Sequence, residues 1–132
     1  MGISINHWAV IIAALAAWGF GALWYSPVMF EKQWLKHVGK KQSELGNPGK
    51  AMAGMFLATL LMAYVLAHVI QYFGATTWQA GAAAGFWIWL GFVLTSTAGV
   101  YIFEGRPKNL YYIYNGYQLV ALVIMGIIIS IW

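Results

Sequence analysis

Four stretches of the chain, residues 6–25, 51–73, 78–103 and 109–132, run without a charged side chain, and only Glu104 approaches an edge of one of them. A helix rises about 1.5 Å per residue and the hydrocarbon core of a bilayer is about 30 Å thick, so roughly 20 apolar residues span it. Each stretch is long enough. Helix is the structure such continuous runs adopt in lipid, because each segment then satisfies its own backbone hydrogen bonds. The period-two alternation of a membrane β-barrel is missing. The pattern therefore predicts an all-α integral membrane protein, with residues 1–132 forming one domain of four transmembrane helices.

The connections sharpen this. Residues 74–77 join the second and third stretches and residues 105–108 the third and fourth, so sequential neighbours are expected to form antiparallel hairpins within a bundle. The longer connection opens with Ser26-Pro27, where a missing N–H and a restricted preceding residue favour ending the first helix. After it, Phe30, Trp34, Leu35 and Val38 fall near one helical face and Glu31, Lys32 and Lys36 mostly on the other. That is the pattern of a short amphipathic helix lying in the headgroup layer. Residues 39–50 read as a polar loop.

Composition adds orientation. The chain is 62% hydrophobic and 8% charged, against roughly 25% charged in a soluble domain, and its charges fall in two clusters. Lys32, Lys36, Lys40, Lys41 and Lys50 lie between the first two helices, and Arg106 and Lys108 between the last two; the opposite side has no Lys or Arg. Such a split in short loops predicts cytoplasmic loops at 26–50 and 105–108, external amino and carboxyl ends, and residence in the cytoplasmic membrane. Met1 to His7 carry no Lys or Arg and the following apolar run exceeds a signal core, so the first helix is expected to stay on the mature protein. The net charge of +4 then reflects topology and favours anionic lipid head groups as partners rather than nucleic acid. No cysteine is present, which excludes thiol catalysis and thiolate metal sites.

Small residues mark contact faces. Ala9, Ala13, Ala17 and Gly21 recur every fourth position, and Gly81 and Gly85 form a GxxxG pair. Both permit close backbone approach, inside one chain or between copies of a homo-oligomer.

Candidate chemistry is sparse. Helix interiors hold no Asp, Glu, Lys or Arg, whereas a proton-coupled transporter needs an intramembrane group to carry its proton. Small multidrug-resistance transporters, similar in length and helix number, rely on a glutamate in the first helix, and positions 8–24 offer none. His7 and His68 fall toward the external side and His37 in the loop; two imidazoles without an acidic or thiolate neighbour fall short of a zinc set, so no metal and no cofactor is expected. Trp8, Tyr72, Trp78 and Trp132 suit an external aromatic belt. Trp18, Trp87 and Trp89 lie deeper, about 14 to 17 Å from the external helix ends, either packed against small residues and lipid or lining an aromatic pocket.

The fourth helix carries a polar stripe in Tyr111, Tyr114, Asn115 and Gln118. Amides face hydrocarbon only at a cost, so Asn115 and Gln118 are expected to meet Thr95, Ser96 and Thr97 of the third helix, or Trp24 and Tyr25. That stripe is either an interhelical clasp or a ligand site.

The strings Gly21-Ala22-Leu23-Trp24-Tyr25-Ser26-Pro27-Val28-Met29-Phe30 with Trp34, Phe103-Glu104-Gly105-Arg106-Pro107, Asn115-Gly116-Tyr117-Gln118-Leu119 and Met125-Gly126 resemble the bacterial membrane family termed domain of unknown function 1761. The resemblance spans nearly the whole chain and implies a four-helix inner-membrane protein, without implying a reaction. Its motifs map to the cytoplasmic half, and point to a vestibule bounded by Trp24, Tyr25, Glu104, Arg106, Asn115 and Gln118.

Three function classes follow: an oligomeric transport or permeation module for a small solute or ion, a structural or accessory membrane protein that binds lipid or a partner, and a membrane enzyme. The last ranks lowest, because no nucleophile–base pair, metal set or paired carboxylates can be assembled. The topology predicts that reporters fused after Trp132 and within residues 74–77 behave as external and one within 39–50 as cytoplasmic. A cytoplasmic carboxyl end contradicts it.

Overall fold

The computed structural model describes residues 4–25, 32, 36 and 48–132. Four long helices carry the described chain: α1 (His7–Trp24), α2 (Pro48–Phe73), α3 (Trp78–Glu104) and α4 (Lys108–Ile131). Each is long and apolar enough to cross a bilayer, so the chain is built as a multi-pass membrane protein. The amphipathic helix expected after Pro27 lies outside the described residues, apart from Lys32 and Lys36, which are helical and exposed.

Local chemistry sets the ends. Asn6 caps α1, its side chain accepting from the Ala9 N–H at 3.1 Å, and Thr77 caps α3 in the same way through Ala80. Each answers one of the donors a helix start leaves open. α2 begins three residues before the apolar run, at Pro48, since proline's fixed φ and absent N–H suit the first helical position. It closes on Gly74 at φ +69°, with Gly74 N–H donating to Gln71 and Ala75 N–H to the Ile70 carbonyl. α3 closes likewise on Gly105 at φ +66°, Arg106 N–H reaching the Tyr101 carbonyl. Glycine adopts this left-handed geometry without a Cβ penalty, which makes both four-residue turns possible.

α3 is not uniform. Its ladder widens to π geometry over Trp89–Leu94 before returning to α at Thr95. The apolar pattern gave no sign of this.

α4 is the pillar of the structure, touching all three other helices. Ala13 and Ala17 of α1, Ala63, Leu66 and Ile70 of α2, and Tyr117, Ala121 and Met125 of α4 belong to one buried cluster. The small-residue stripe of α1 is thus used within the chain: Ala9, Ala13 and Ala17 are buried, and a Cβ on Gly21 would meet the Tyr117 hydroxyl at 2.8 Å. The glycine pair of α3 is used within the chain too. A Cβ on Gly81 would fall 2.2 Å from the Gly126 carbonyl oxygen, and one on Gly85 would fall 2.5 Å from that of Leu122. Gly81 and Gly85 are also the buried residues of α3. The third helix therefore docks by its backbone, with Ile88, Trp89 and Val93 half-buried against the core and Trp87 and Phe92 exposed.

This contact predicts the most costly substitution. Gly85→Leu has nowhere to put its side chain except against the α4 backbone, so the helices separate and stability falls by about 2 kcal/mol or more. Gly19→Leu, where nothing lies within 4 Å of the added Cβ, should leave stability within about 0.5 kcal/mol. Reversible unfolding in bicelles distinguishes them; equal behaviour removes Gly85 from the packing.

Candidate functional site: the polar seam around α4

Asn115 is 2% exposed and Gln118 6% exposed, so the polar stripe of α4 points inward. Asn115 Nδ2 donates to the Tyr111 carbonyl at 2.9 Å, one turn back. Its Oδ1 lies 3.1 Å from Thr97 Oγ1 of α3. Thr97 Oγ1 is also 2.8 Å from the Val93 carbonyl oxygen, so one hydroxyl proton is shared between an interhelical and an intrahelical acceptor. The expected meeting of Asn115 with the hydroxyls of α3 is realised through Thr97. Thr95 and Ser96 instead donate back along their own helix, to the Gly91 and Val93 carbonyls.

The π segment explains why hydroxyls gather here. Widening the ladder shifts N–H groups away from their usual carbonyls, and an unsatisfied carbonyl is costly where water is scarce. Thr95, Ser96 and Thr97 supply donors from one side, and the Tyr111 hydroxyl reaches the Leu94 carbonyl at 2.7 Å from α4. Tyr111 and the π turn were not legible as partners in the sequence. The run of three hydroxyl residues after Gly91 was the available signal.

Two tryptophans hold the same part of α4. Trp24 Nε1–H donates to the Ile113 carbonyl at 3.0 Å, and Trp89 Nε1–H to the Asn115 carbonyl at 2.8 Å. Trp24 comes from α1 and Trp89 from the π segment of α3, so neighbouring stretches of α4 backbone are gripped from two helices. Trp89 is thus a packing residue with a specific polar anchor. Trp18 is another, bonding the Met52 carbonyl at 3.0 Å with its ring edge-on to Phe56. Trp87 is 64% exposed and faces outward.

Five of the six residues expected to bound a vestibule occupy three places. Trp24 and Tyr25 pack with the α4 aromatics: Trp24 lies against Gly116, and the Tyr25 ring is 5.9 Å from Tyr117, which itself donates to the Ala17 carbonyl. Asn115 turns to α3. Glu104 and Arg106 pair with each other at 3.4 Å on the half-exposed turn beyond α3, and Arg106 stands 5.8 Å from the centre of the Tyr101 ring. Residues at one depth are therefore spread around α4 rather than gathered on one side of it. Gln118 is buried, and its Oε1 has no hydrogen-bond partner among the described residues.

The histidines at the other end are tied locally. His7 Nδ1 is 2.9 Å from the Tyr64 hydroxyl, and His68 Nδ1 is 2.7 Å from the Tyr64 carbonyl oxygen, which fixes the proton of His68 on Nδ1.

A double-mutant cycle tests the clasp. Thr97→Val and Asn115→Leu should each lower stability by about 1 kcal/mol. The double variant should lose less than their sum, with a coupling of roughly 0.6 kcal/mol. Strict additivity in bicelles means that the two side chains do not interact.

A family signature described as "Protein of unknown function (DUF1761)" matches residues 8–130. No curated protein and no solved structure matches the chain. The signature runs through all four helices, from the start of α1 to the end of α4. With it, the expectation drawn from the strings at Gly21–Phe30, Phe103–Pro107 and Asn115–Leu119 is met: the chain belongs to the DUF1761 family of proteins of unknown function.

Proposed function

We propose that this chain is a non-catalytic accessory protein of the cytoplasmic membrane, and that its working surface is the cleft between α2 and α3, where a second copy docks. In this reading the helices form an antiparallel bundle across the bilayer, with both ends external and the loops at 26–50 and 105–108 cytoplasmic. The pairing of Gly81 with Gly126 and Gly85 with Leu122 supports opposite directions for α3 and α4.

One observation carries the choice of surface. α2 and α3 follow one another through a four-residue turn, yet they make few contacts with each other. Between them lies an apolar cleft of about 480 Å³ floored by Ala80, Ala83 and Ala84 and walled by Phe73, Trp87 and Phe92. Small residues allow a helix to approach closely, and association in lipid depends on such packing. A homo-oligomer built here would bury side chains that the single chain leaves open.

The permeation reading draws less support. Of the groups that would line a path, the threonines, Asn115 and Gln118, Thr97 and Asn115 are hydrogen-bonded to each other and to backbone carbonyls. Opening a path between them would break the bonds that satisfy the π segment.

Single-molecule photobleaching in native-lipid nanodiscs tests the proposal. Wild type should appear as pairs. Ala83→Trp, which places a ring on a floor exposed in the single chain, should appear as single copies with unchanged melting. Monomeric wild type, or an Ala83→Trp variant as paired as wild type, overturns it.

A further inference from the structure

We infer that the groove beside the α3–α4 turn is a binding site for one anionic phospholipid, its phosphate held by Arg106 and Lys108 and one acyl chain lying along the tyrosines behind them. The site is separate from the α2–α3 cleft and shares with it only the membrane-spanning reading.

The groove has a volume of about 450 Å³ and is lined chiefly by Tyr101 and Ile102 of α3, Tyr111 and Tyr112 of α4, and the two cations of the turn. Volumes of this order hold small molecules. Its wall is apolar and its mouth is charged, which is the chemical order of a phospholipid. Each part is held by a feature already described. Gly105 at φ +66° turns the chain so that Arg106 follows directly on the end of α3. The Tyr111 hydroxyl is engaged at the Leu94 carbonyl, which fixes that ring as groove wall.

Charge selects the class of lipid. Glu104 pairs with Arg106 through side chains that are each 52% exposed, and a pair so open to solvent is worth little and rearranges readily. Among the described residues two cations of the turn face one carboxylate, Glu104, which leaves an excess of one positive charge there. Arg106 stands 5.8 Å from the centre of the Tyr101 ring, which places the guanidinium over the groove, where a phosphate would compete with Glu104 for its N–H edges. The amino end of α4, which no described side chain caps, adds the positive end of its dipole beside Lys108. Ile102 and Phe103 at the rim are 75% and 92% exposed, which suits a turn seated at the depth where head groups meet acyl chains.

The test uses the full chain in nanodiscs of phosphatidylcholine alone or with phosphatidylglycerol. It reads lipid retained by native mass spectrometry together with melting temperature. Wild type should retain phosphatidylglycerol and melt higher in its presence. Arg106→Gln with Lys108→Gln should weaken that retention roughly tenfold or more, with melting in pure phosphatidylcholine unchanged. Lys36→Gln, an exposed lysine elsewhere, should behave as wild type. A loss in Lys36→Gln as large as in the Arg106/Lys108 variant would mean diffuse surface attraction and overturn the site. Equal retention of phosphatidylcholine overturns the charge selection. Stabilisation by glycerol 3-phosphate alone, to the same melting temperature, assigns the site to a free phosphate ester and overturns the lipid.

Discussion

The backbones of α3 and α4 meet where neither has a side chain to keep them apart. Gly81 and Gly126 face each other so closely that a methyl group on either would reach within 2.2 Å of the other's carbonyl oxygen. In lipid no hydrophobic force drives helices together, so the short-range attraction available at such a distance is what fastens them. α3 needs this fastening more than the others do, since its buried residues are two glycines. Several of its large side chains, Trp87 and Phe92 among them, are left on the outside, while Trp89 reaches the α4 backbone.

Once the backbones are this near at one end, the polar groups farther along are forced into range. The π turn over Trp89–Leu94 brings Trp89 to the Asn115 carbonyl and exposes the Leu94 carbonyl to Tyr111. Thr97 then completes the seam at Asn115. The same seam that closes the interior leaves two openings at its margins, the α2–α3 cleft and the groove beside Arg106. Both openings are functional candidates because the fold has spent most of its internal polar groups elsewhere; among the described residues Gln118 Oε1 and Ser130 Oγ are the exceptions on α4.

The spans were legible because nothing charged interrupts them for a whole bilayer thickness, and Gly74, Gly105 and Pro48 punctuate the ends by rules that act over a few residues. The inward face of α4 was legible as well, since Asn115 and Gln118 have only one cheap direction to point. What the chain did not reveal is azimuth between helices. Depth can be counted at a fixed rise per residue, and that count put Trp24, Tyr25, Asn115, Glu104 and Arg106 at one level. Their directions around α4 depend on how far each helix is rotated, which is decided by tertiary contacts such as Gly116 against Trp24 and Gly85 against Leu122. The π segment was hidden for a related reason, because one extra residue in a turn leaves an all-apolar pattern unchanged.

The direct test of this account is carbon–carbon correlation by solid-state NMR on glycine-labelled protein in bilayers. The account predicts a contact between Gly81 and Gly126 that persists when labelled chains are diluted into unlabelled ones, because it lies within one molecule. Resolved signals from both glycines with no correlation between them, or a correlation that disappears on dilution, would contradict it.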